Sequence, residues 1–134
     1  MGKLASYAAR HPGLTSSSAA ALLVEEGLRM DAHPGIVFRD GPSGRRASLA
    51  AGPDVWEVAR VIRDARAVES QLPAPELLHI VQENTGLPLP AIQVALGYYG
   101  AFSDEIDALI TAAEAAETEA EEAFVRTQRL LDAS

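Results

Sequence analysis

Apolar residues fall at helical spacing through most of the chain, with one short interruption where they alternate. Leu4, Tyr7 and Ala8 predict a short helix over 3–11, which His11-Pro12-Gly13 ends. Thr15 to Ser17 offer N-caps for a second helix with a stripe of Ala19, Leu22, Leu23 and Met30, and with Leu28 at its edge. Glu25, Glu26, Arg29 and Asp31 are expected on its wet side, and His33-Pro34-Gly35 stops it. Ile36-Val37-Phe38 then reads as a β-strand. Asp40-Gly41-Pro42-Ser43-Gly44 reads as a tight turn, and Arg45 to Leu49 as the returning strand.

Asp54, with Glu57 three residues on, predicts a capping box for the next helix. Val55, Val58, Ala59, Ile62 and Ala65 form its core face, and Arg60, Arg63 and Arg66 lie on another. Residues 67–74 read as a linker. Pro75 opens a helix carrying Leu77, Leu78, Ile80 and Val81, and Gly86 stops it. Pro90 opens another with Ile92, Val94, Ala95, Leu96, Tyr98 and Tyr99, so the two outline a helix-turn-helix. Ser103 is expected to cap a last helix reaching about Leu131. Its broken seam is Ile106, Leu109, Ile110, Ala113, Ala116, Ala120, Phe124 and Leu131. The expected fold is mainly α: a helix pair over 1–32, a β-hairpin with a helix-turn-helix-like pair over 33–102, and a long acidic helix over 103–134.

Composition sharpens this outline. Much of the 48% hydrophobic share of these 134 residues is alanine, and aromatics are 5%, so a homodimer joined through the first two helices, the dimerisation segment 1–32, is expected to complete the core. With no cysteine there is no disulfide framework or thiolate chemistry, which fits a reducing cytoplasm. No apolar run approaches the roughly 20 residues that cross a bilayer. The net charge of −8 is uneven. Residues 1–66 hold nine Lys/Arg against seven Asp/Glu, and residues 67–134 hold two against twelve. Any nucleic-acid surface is therefore expected in the first half.

Two stretches, HPGIVFRDGPSGRRASLAAGPDVWEV and LPAPELLHIVQENTGLPLPAIQVALGYYGAFSDEID, resemble the domain of unknown function 433 family, which includes VapB-type antitoxins. The matching positions are Gly41, Pro42, Gly44, Arg45, Arg46, Asp54, Val55, Trp56, Glu57, Ala95, Leu96, Tyr98 and Tyr99. The segment HPGLTSSSAAALLVEEGLRM is similar to the two helices of a ribbon-helix-helix domain, without the preceding DNA-reading strand. The resemblance implies a non-enzymatic regulator that binds operator DNA, a PIN-domain ribonuclease toxin, or both. The alternative is a protein-interaction and oligomerisation module that does not bind DNA.

The candidate chemistry follows from charge. Arg39, Arg45 and Arg46 cluster at a glycine loop and, with Arg60 and Arg63, are the candidate DNA contacts. Pro90 to Gly100 brings only Gln93 and two tyrosines to any base edge, an unusual recognition helix. Phe124, Arg126, Arg129 and Leu130 are the candidate partner contacts on the last helix. Trp56 is expected to anchor the hairpin to the helices. Three scattered histidines make no metal-ligand pattern, Ser16 to Ser18 lack a paired base, and no cofactor motif is present.

Overall fold

The structure is a computed structural model and describes residues 2–41 and 44–133. Pro42 and Ser43, in the middle of the expected turn, lie outside the described residues. Six helices and one antiparallel hairpin follow in the expected order. They are α1 (Lys3–Arg10), α2 (Ser16–Ala32), β1 (Ile36–Gly41), β2 (Gly44–Leu49), α3 (Val55–Val68), α4 (Ala74–Thr85), α5 (Leu89–Ala101) and α6 (Ser103–Asp132). None of these helices is long and apolar enough to cross a membrane.

Local chemistry accounts for most boundaries. Thr15 and Ser18 form a reciprocal capping box at the start of α2, with Ser18 N–H donating to Thr15 Oγ1 at 3.1 Å. Asp54 and Glu57 do the same for α3, and the Glu57 carboxylate accepts the Asp54 N–H at 3.0 Å. Gly86 closes α4 at φ +71°, a left-handed conformation that a side chain would strain. The cap expected from Ser103 is not made. Phe102 occupies the N-cap and Ser103 is already helical, because the chain passes from α5 to α6 with one intervening residue.

The core is one cluster. Ile36, Ala47 and Leu49 from the hairpin meet Val55, Val58 and Ala59 of α3, Ala95 and Tyr98 of α5, and Ile106 and Ile110 of α6. The start of α6 thus shares the core of the hairpin segment, although 103–134 reads as a separate acidic helix. The hairpin pairs Ile36 with Leu49 through Gly41 with Gly44. It is stabilised by lying on α3 and α5. Trp56 packs against this core, and its Nε1–H donates to Asp54 at 3.2 Å beside the hairpin. On α2, Met30 is exposed although it sits on the expected apolar stripe. Glu26, placed on the wet side by its neighbours, is 4% exposed. The backbone of α2 packs on α1 and β1, and the helix turns Glu26 to that side, where Arg45 of β2 covers it.

Candidate functional site

The five candidate DNA-contacting arginines do not form one basic surface. Arg45 donates two hydrogen bonds to the buried Glu26, at 2.5 Å and 3.0 Å, and reaches Asp40 at 3.4 Å. Arg46 donates through Nε to the Asp54 carboxylate, which also accepts from Ser48 Oγ at 2.6 Å. Arg39 turns back along its own hairpin and donates to the carbonyls of Ala50 at 2.9 Å and Gly52 at 3.2 Å. Arg60 and Arg63 reach across to α6, where they meet Glu117 at 2.7 Å and Glu114 at 2.8 Å. Arg66 donates to the carbonyls of Leu72 at 2.7 Å and Glu69 at 3.1 Å, just beyond the end of α3.

These contacts set the electrostatics of the hairpin. Burial works to raise the Asp54 carboxyl pKa, but the hydrogen bonds from Ser48 and Arg46 outweigh it and hold the pKa below its ordinary value. His11 caps the arrangement from α1. One ring nitrogen donates to the Tyr7 carbonyl at 2.7 Å and the other to Asp40 at 3.0 Å, so the imidazolium alone satisfies both acceptors. Its pKa is accordingly raised, by the Tyr7 carbonyl first and Asp40 second, while the His11 hydrogen bond lowers that of Asp40. Arg29 of α2 makes a third node. It donates to Tyr98 Oη and Glu105, each at 2.8 Å, and lies 3.9 Å from the Phe102 ring centroid. Burial first, with Glu105 adding to it, pushes the Tyr98 pKa up to about 12.

The expected recognition helix, α5, is a core element. Ile92, Ala95 and Tyr98 are buried, and the residues left outside include Gln93, Leu96, Gly97 and Gly100, none of them cationic. No group of three or more His, Asp or Glu side chains able to hold a metal occurs among the described residues. An apolar groove of about 320 Å³ runs between the hairpin base and the α4–α5 turn, lined by Leu49, Leu87, Pro88 and Val94 among others. It holds no group that could do chemistry.

The second candidate surface has the opposite character. Beyond Glu117, α6 runs on for about four turns, roughly 22 Å of axis, with its side chains largely in solvent. Phe124 is 63% exposed, Leu130 79% and Leu131 67%. Arg126 and Arg129 make no ion pair among the described residues, unlike the arginines of the hairpin and α3. The sequence reading missed Glu114 and Glu117. Their spacing of three repeats that of Arg60 and Arg63, the pattern two antiparallel helices need to pair two charges on each. Comparison with family models, with curated proteins and with solved structures finds no match for this chain.

Proposed function

We propose that this chain is a non-enzymatic, protein-binding regulator that takes its partner on the free end of α6. One observation carries the reading: Phe124, Leu130 and Leu131 stand in solvent beside two arginines that have no ion-pair partner among the described residues, on a helix that continues past the core. An exposed aromatic anchor near arginine is the kind of composition found in binding hot spots, and the leucines add apolar area beside it. An amphipathic helix of this kind docks into an apolar groove, and its arginines meet carboxylates at the groove's rim. The resemblance to VapB-type antitoxins supplies the partner class, a PIN-domain ribonuclease. A cysteine-free chain suits a reducing cytoplasm, where such a partner would act.

The same geometry weighs against operator DNA as the principal ligand. To bind phosphate, Arg45 and Arg46 would have to abandon Glu26 and Asp54, and each carboxylate would be left partly buried without its cation.

The test is co-expression with a PIN-domain ribonuclease encoded beside this chain, read as growth. The full chain is expected to rescue growth, and Phe124→Glu with Leu130→Glu to abolish rescue while circular dichroism stays unchanged. Undiminished rescue by that folded variant would overturn the reading. So would tight, sequence-dependent binding to upstream DNA that is lost in Arg60→Glu with Arg63→Glu.

A further inference from the structure

We infer that α1 is a flap latched to the hairpin through the proton of His11: it lies closed while the imidazole is charged and opens when the ring is neutral. The latch is independent of what α6 binds.

Little else holds α1 down. Among the described residues none of its side chains is buried, and its backbone packs on α2 alone. Leu4, Ala5, Tyr7 and Ala8 are half-buried there. Tyr7 Oη is buried without a hydrogen-bond partner among the described residues, so the closed flap strands one polar group. A helix of eight residues is also too short to be stable alone in water, and α1 frays once it is released. A single polar contact is then enough to decide its state.

His11, which ends α1, supplies that contact. Its ring stacks on Tyr7, with centroids 4.0 Å apart and planes 16° apart, and the stack fixes where both nitrogens point. Nδ1 stands 2.7 Å from the Tyr7 carbonyl and Nε2 stands 3.0 Å from the Asp40 carboxylate. A carbonyl and a carboxylate only accept, and the imidazolium gives each of them a proton. A neutral ring has one proton to give. It keeps Tyr7 and turns a bare nitrogen on Asp40, or it keeps Asp40 and disrupts the last turn of α1. Either choice breaks the latch.

The neighbouring charges set the direction. Asp40 of β1 favours the charged ring, and Arg10 of α1 opposes it. Arg45 of β2 lies 3.4 Å from Asp40 but gives its two shorter hydrogen bonds to Glu26 of α2, which leaves the Asp40 carboxylate to His11. The flap is therefore shut on the acid side, until Asp40 itself takes a proton, and open on the alkaline side. Closed, it holds the Tyr7 ring 6.0 Å from the Arg45 guanidinium carbon. Opening withdraws Tyr7 and lets water reach the Arg45–Glu26 pair that ties the hairpin to α2.

Amide hydrogen exchange of the full chain from about pH 5 to about pH 9, corrected for the intrinsic rate, tests the latch. Protection in α1 is expected to fall as pH rises, by tenfold for each pH unit by which the His11 midpoint in the folded chain exceeds 6.5. Protection in α3 should stay level. His11→Gln should abolish the step, and Asp40→Asn should shrink it. A change in α1 of less than about twofold in the parent chain overturns the latch, because packing on α2 would then suffice. A step that survives in His11→Gln overturns it, as does a fall shared by α3, which would be a response of the whole domain. Where His11→Gln does not fold, Asp40→Asn decides: an undiminished step overturns the latch and a smaller one upholds it.

Discussion

Replacing Glu26 with alanine should unfasten α2 from the hairpin. The carboxylate is 4% exposed and receives both hydrogen bonds of a two-pronged contact from Arg45, at 2.5 Å and 3.0 Å. Without it, the Arg45 guanidinium, whose side chain is 23% exposed, keeps only the 3.4 Å contact with Asp40. Breaking a buried pair from one side costs about 3–5 kcal/mol, since the remaining charge has lost its partner. Partial exposure of Arg45 lets water recover some of this, and an expected loss of about 3 kcal/mol follows. That is a large part of the roughly 5–15 kcal/mol that stabilises a domain of ordinary size. Urea denaturation followed by far-ultraviolet circular dichroism measures it as a lower midpoint at unchanged slope. The decisive comparison is the double variant Glu26→Leu with Arg45→Met. It removes both charges at similar volume and should regain most of the loss, giving a coupling of about 2 kcal/mol in the double-mutant cycle. A Glu26→Ala loss below about 1 kcal/mol, or additive single losses, would show that the pair is solvated and that Arg45 is free for another ligand.

Three further outcomes are expected. Gly41→Ala places a Cβ 1.2 Å from Arg46 Nη1, so it should prise the guanidinium from Asp54 and cost about 1–2 kcal/mol by urea denaturation; an unchanged midpoint would mean that Arg46 swings aside freely. Asp54→Asn should cost about 2 kcal/mol by the same measurement, with a shift in Trp56 emission, because Ser48, Arg46 and Trp56 all donate to that carboxylate; its depressed pKa means that this stability is present above pH 3.8 and is lost as pH falls through the folded value. The His11–Asp40 contact fastens α1 to the hairpin between two limits: the raised His11 pKa makes its share fully present below pH 6.5 and lost as pH rises through the folded value, and the lowered Asp40 pKa makes its share disappear in acid. The His11 ring titration by NMR should therefore have a midpoint above 6.5 that falls in Asp40→Asn, and a midpoint indifferent to that change would refute the contact.

The order of elements was legible because the signals that set it are local. Pro12-Gly13, Pro34-Gly35, Gly52-Pro53 and Gly86 mark breaks within a few residues, and the intervals of three and four among Val55, Val58, Ala59 and Ile62 suffice for a core-facing helix. The fate of the charges was not local. Glu26 and Arg45 are 19 residues apart, Arg60 and Glu117 57, and Arg29 and Glu105 76. Periodicity placed Glu26 among polar neighbours on a wet face, and nothing within one helix announces that the partner from β2 will cover it.

The imbalance between the halves of the chain reads differently once these pairs are known. A basic first half suggests a surface for phosphate, and an acidic second half a separate arm. Among the described residues three ion pairs instead join the two halves: Arg29 to Glu105, Arg60 to Glu117 and Arg63 to Glu114. Opposite charge is drawn together within the fold, and the asymmetry is a record of which helices meet. What it leaves over then carries the information. Glu119, Glu121 and Glu122 stand ahead of Arg126 and Arg129 on one helix, and none of the five has an ion-pair partner among the described residues. Glu122 and Arg126 lie four apart on one face of α6, so the helix sets these opposite charges level within itself.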